Sequence, residues 1–188
     1  MRRGAGKVLA QLRREGNAWG IPITLTKALT LAAGQDGLQV TYLLEGLPPG
    51  RPFHFAMEWN FAGMPAGADD RFFFDADGQS LGQLGTHLDI QGSNYLGLID
   101  QWLGVSVQML LNRPSGLWTF PLEAVSQSEA GFEAIHQSVC VMPHWIIQGD
   151  VSGRWSVTMD IIVAAEHDVN PRTSADNSSK RHSQLART

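Results

Sequence analysis

The chain has 188 residues and a formal net charge of -4 at pH 7, enough for one domain with a sizeable core and short for two. That charge excludes a general attraction to nucleic acid or an anionic membrane, and a single cysteine, Cys140, excludes an internal disulfide and a thiolate cluster, so a reducing cytoplasm is the expected compartment. Lys7, Gln11, Arg13, Arg14 and Glu15 interrupt any signal-like apolar stretch after Arg2 and Arg3, and the longest apolar runs, such as 161–165, are too short to span a bilayer.

Residues 1–19 are expected to form an N-terminal strand or linker. Within them 7–13 reads as a strand, although Val8 and Leu12 also have helical spacing, and Glu15-Gly16-Asn17 is expected to turn it into 18–30. The main domain is expected over 20–165. Ile23, Leu25, Leu29 and Leu31 alternate with polar or small residues, and Leu38, Val40, Tyr42 and Leu44 do the same after the turn residues Gln35-Asp36-Gly37, which predicts a hairpin. Residues 53–61 give the clearest strand, with Phe53, Phe55, Met57, Trp59 and Phe61 on one face and His54, Ala56, Glu58 and Asn60 on the other. Val105, Val107, Met109 and Leu111 repeat the pattern, as do Trp155, Val157, Met159, Ile161 and Val163. Pro48-Pro49-Gly50, Met64-Pro65-Ala66-Gly67, Asp77-Gly78 and 112–116 read as connections. Many short alternating strands with such punctuation imply an all-β antiparallel sandwich.

From residue 166 to 188 the composition turns to Ser, Asn, Arg and Lys with almost no apolar side chains, so this tail is expected to be disordered. Arg172, Lys180, Arg181 and Arg187 make it locally basic, and a solvated tail explains them better than a nucleic-acid arm.

The irregular stretch 117–123, the run 125–133 and His136-Gln137, with Phe55-Ala56-Met57-Glu58-Trp59-Asn60 upstream and Pro143-His144-Trp145 downstream, resemble the C-terminal β-rich domain of family 57 glycoside hydrolases, the α-amylase and 4-α-glucanotransferase type. The resemblance runs over about 21–163 and lies outside the catalytic barrel. It implies a galactose-mutarotase-like supersandwich, incomplete at its N-terminal side, and an accessory, non-catalytic role in α-glucan metabolism. The implied partners are an α-glucan or maltooligosaccharide, and either a separate catalytic chain or a second copy, with no cofactor. An aldose-epimerase-like enzyme and a structural or self-associating remnant are the alternative readings.

His54, Glu58 and Asn60 share one strand face and could hydrogen-bond sugar hydroxyls, although every half-buried strand needs a polar face. Trp59 and Trp155 lie on apolar faces and are expected in the core. Trp102, after Asp100-Gln101, and Trp145, after Pro143-His144, are less committed by pattern and are candidates for exposed sugar-stacking rings. Glu129, Glu133 and His136 form the densest titratable group and are the candidate acid and base of an epimerase, but Ser126-Gln127-Ser128-Glu129 reads more simply as a hydrogen-bonded turn with Glu133 facing solvent. Asp75-Ala76-Asp77-Gly78 imitates the opening of a calcium loop, yet the twelfth position is Thr86 instead of a bidentate acid, so an Asp-Gly turn is expected and no metal site is assigned.

Overall fold

The expected alternation appears as strands in the computed structural model, which describes residues 1–4, 6–128 and 131–165, with the backbone alone of Arg2, Arg3 and Ser128. Residues 166–188 and Glu129 therefore lie outside the described residues. Among those described, the strands are β1 (Arg2–Gly4), β2 (Lys7–Ala18), β3 (Ile21–Ala32), β4 (Gly37–Glu45), β5 (Phe53–Ala56), β6 (Trp59–Phe61), β7 (Arg71–Phe74), β8 (Ser80–Gln83), β9 (Leu88–Asp100), β10 (Val105–Ser128), β11 (Gly131–Ile147) and β12 (Arg154–Ala165). Among these residues no helix is long and apolar enough to cross a membrane.

Every pairing is antiparallel, in the order β1-β2-β3-β4-β12-β10-β9-β7-β8, with β11 joined to the far half of β10 and carrying β5 and β6 on its other edge. The sandwich arises because β10 changes neighbours along its length. Its first part, Val105 to Leu111, pairs with β12, and Gly116 to Ser128 pairs with β11. Between them the register with β9 breaks from Leu110 to Ser115, and the strand passes from one layer to the other.

The break contains Pro114, which has no N–H to donate. Its carbonyl accepts the Trp145 indole N–H at 2.8 Å, and Asn112 Oδ1 accepts Thr158 N–H at 2.9 Å, so the bend is satisfied from both layers. Residues 112–116, read from sequence as a connection, are therefore the corner of one continuous strand.

The layers meet through aromatic contacts: Phe55 of β5 packs edge-on to Tyr42 of β4 at 6.0 Å and to Trp155 of β12 at 5.6 Å between centroids. Val40, Met109 and Met159 from one side and Leu117, Val139 and Val141 from the other are fully buried between them. The all-β sandwich expected from the alternation is the fold observed.

Three further boundaries differ from the sequence reading. Glu15, Gly16 and Asn17 stay paired with Thr24, Ile23 and Pro22, and the chain turns instead at Trp19-Gly20, with φ of 51° and 84°. A two-residue turn with two positive φ values matches the twist of a hairpin, and Asn17 Oδ1 accepts the Gly20 N–H at 2.7 Å to hold it.

The 53–61 strand is interrupted at Met57-Glu58, but the register against β11 is the same on both sides: Ala56 faces His144 and Trp59 faces Val141. Met57 N–H donates to the Pro143 carbonyl at 3.0 Å and Pro143 cannot return the bond, which explains the gap without a change of face. Residues 126–128, expected in a turn, instead continue β10, with Ser126 opposite Glu133 and Gln127 opposite Phe132.

Candidate polar face on the outer layer

The even-numbered residues of β5 and β6 point away from the core, as the alternation requires, and His54, Glu58 and Asn60 are all exposed. They do not form one cluster of equals. Asn60 Nδ2 donates to Glu58 Oε1 at 2.7 Å, and His54 turns to the neighbouring strand, where its Nε2 lies 3.1 Å from His144 Nδ1.

Cross-strand register builds the rest. Gly116 faces His144 and Trp118 faces Met142 between β10 and β11, while Asp89 of β9 faces Trp118. A Cβ placed on Gly116 would come within 2.2 Å of Cε1 and 2.3 Å of Nε2 of the His144 ring, so that ring occupies the space above the glycine. The Trp118 indole stacks on the imidazole at 3.9 Å and 26°, and His54 approaches Trp118 edge-on at 5.4 Å. The result is a layered arrangement of glycine backbone, imidazole and indole, with Trp118 half-buried.

Inside this stack His144 Nε2 is buried with no hydrogen-bond partner. The arrangement that leaves no buried donor unpaired keeps the proton on Nδ1, donated to His54, and presents only a lone pair on Nε2. Burial, then the neighbouring His54, holds the His144 imidazole below its ordinary value against a smaller opposing effect of Asp89. Chemically, the face offers a flat apolar surface with a carboxylate-amide pair on the same side of the sheet, which suits a ligand with one apolar face and a rim of hydroxyls.

The other candidates lie elsewhere. Trp145, expected as an exposed ring, is 8% exposed, stacks against Phe55 and donates its N–H to Pro114; odd numbering puts it on the inner face of β11. Trp102 is 74% exposed in the β9–β10 turn, with the Arg71 guanidinium 5.7 Å from its ring centroid, and lies before β10 begins, across the 112–116 corner from Trp118. Arg71 also pairs with the fully buried Asp100 at 2.8 Å. Burial pushes the Asp100 carboxyl up, but the hydrogen bonds from Leu103 N–H and Arg71, with the Arg71 charge, together hold it below the usual range.

Glu133 and His136 do not converge. They are three residues apart on one strand and take opposite faces: His136 sits beside Glu123 and bonds through Nε2 to the Met64 carbonyl at 3.0 Å, whereas Glu133 sits beside Ser126. The Asp75 loop is the expected turn, with Asp75 Oδ1 accepting the N–H groups of Asp77 and Gln79. Among the described residues no three His, Cys, Asp or Glu side chains form a set that could hold a metal ion.

Sequence pattern marks Trp118 as one of several tryptophans able to stack on a sugar but does not join it or His144 to His54, because only register brings the three together. Trp19, 79% exposed at the β2–β3 turn, was also passed over.

The antiparallel β-sandwich is a fold that this chain shares with solved structures of other proteins. A galactose mutarotase-like protein from Clostridium acetobutylicum superposes with a TM-score of 0.53 at 9% identity, over 85% of this chain and 63% of that one. A 4-alpha-glucanotransferase from Thermococcus litoralis superposes with a TM-score of 0.56 at 22% identity, over 81% of this chain and 20% of that one. At these identities the likeness is one of fold, and the chain spans a fifth of the glucanotransferase. No curated protein sequence matches it. The profile of the alpha-amylase/4-alpha-glucanotransferase C-terminal family matches residues 2–159, most of the chain, and the chain belongs to that family.

Proposed function

We propose that this domain is an accessory, non-catalytic α-glucan contact of the family 57 type, and that the Trp118-His144-His54 face with Glu58 and Asn60 receives the sugar. One observation carries the reading: a tryptophan layered on a histidine over a glycine, on a sheet face that also holds a hydrogen-bonded carboxylate-amide pair. A pyranose has the matching chemistry, with C–H groups on its flat faces and hydroxyls at its rim. Trp102 stands apart in the β9–β10 turn and serves as a second, separate contact. Calorimetric titration with maltoheptaose is the test. Saturable binding, with Kd on the order of millimolar as suits a small contact area, should weaken severalfold in Trp118→Ala and less in Trp102→Ala. A flat titration of the parent chain, or equal binding by Trp118→Ala, removes this face from the function.

A further inference from the structure

The outer part of the β10–β11 hairpin stands clear of the sandwich. Beyond Thr119 opposite Leu88 of β9, and Val139 opposite Phe61 of β6, the two strands pair only with each other among the described residues. His136 ties the root to the Met64 carbonyl. A two-stranded ribbon is marginal in water by itself, and this one leaves Val125 74%, Phe132 77% and Ile135 46% exposed. Register puts Glu123, Val125 and Phe132 on one face of it.

The β2–β3 ribbon at the other edge has the converse character. Its pairing places Val8, Leu12 and Arg14 on the same side as Leu31, and Val8, Leu12 and Leu31 are 36%, 57% and 53% exposed. The charges are opposite. No Lys or Arg occurs between Arg113 and Arg154, while Glu123 and Glu133 lie on the outer hairpin; β2 carries Lys7, Arg13 and Arg14 against the single acid Glu15. Arg13 is engaged with Glu15 at 3.5 Å, and Arg14 makes no ion pair among the described residues.

We propose that two copies of this chain associate reciprocally. The outer β10–β11 hairpin of each lies on the Val8, Leu12 and Leu31 face of the other's β2–β3 ribbon, with Glu123 meeting Arg14. In this reciprocal arrangement a twofold axis relates the copies, so the contact is made twice and the assembly closes as a dimer instead of growing head to tail. Apolar area supplies the affinity; the acid-base pairing selects this face and makes the association salt-dependent.

Sedimentation velocity on the full chain, from low to high micromolar concentration and at two salt concentrations, tests this. A monomer-dimer equilibrium weakened roughly tenfold by high salt is expected. Glu123→Lys and Arg14→Glu should each shift it to monomer with an unchanged circular-dichroism spectrum, and the double variant carrying both should regain the dimer. A monomer at every concentration overturns the proposal and leaves both ribbons to a different chain. A dimer indifferent to both charge reversals, or a double variant no better than the singles, overturns the assigned contact.

Discussion

Replacing Gly116 with alanine tests the layered stack directly. Gly116 is not among the residues with positive φ, so alanine can adopt its backbone, and the loss of freedom in the unfolded chain by itself stabilises by about 0.4–1 kcal/mol. The new Cβ, however, would sit 2.2–2.3 Å from two atoms of the His144 ring, which must move. Displacing the ring costs about 1–3 kcal/mol as overpacking, and it disturbs both the 3.9 Å stack with Trp118 and the 3.1 Å bond to His54, each on the order of 1 kcal/mol. Gly116→Ala should therefore lose roughly 1–4 kcal/mol, or about 2–16 °C in melting temperature for a chain of this size. In a His144→Ala background the obstacle is absent, and the same glycine change should be neutral or slightly stabilising. Urea and thermal melts of the two single variants and the double variant form a cycle whose coupling should be roughly 1–5 kcal/mol. An equal effect of Gly116→Ala in both backgrounds would refute the stack.

His144 is held below its ordinary value by burial and by His54, so the unfolded chain binds its proton first. Its contribution is present in full above the unfolded value, about 6.5, and is lost as pH falls from there through the folded value. The fall in urea midpoint between pH 7 and pH 5 should accordingly be smaller in His144→Ala than in the parent chain; identical falls would contradict the assignment. Arg71→Met leaves the fully buried Asp100 without its cationic partner, and should cost about 3–5 kcal/mol by equilibrium denaturation. A loss below about 1 kcal/mol would mean that the Leu103 and Trp102 amides satisfy Asp100 unaided.

Alternation by itself determined much of this protein. The inward face of Phe53, Phe55, Met57 and Trp59, the hairpin of β3 and β4, and the outward placement of His54, Glu58 and Asn60 follow from a period of two, which is local to each strand. The motifs around 117–137 and 143–145 were likewise enough to point to the family. What alternation cannot report is which strand lies beside which, and every feature of the candidate face depends on that. Trp118 and His144 became neighbours of His54 only through the pairing of β10 with β11 and of β11 with β5. Trp145 went inside because it lies one step from Ile146, which faces out on the same strand. Glu133 and His136 were separated because three steps along a strand reverse the face. Side-chain direction is written in the chain one residue at a time, but the meeting of side chains is decided by register between strands far apart in sequence, and that is a property of the folded sheet alone.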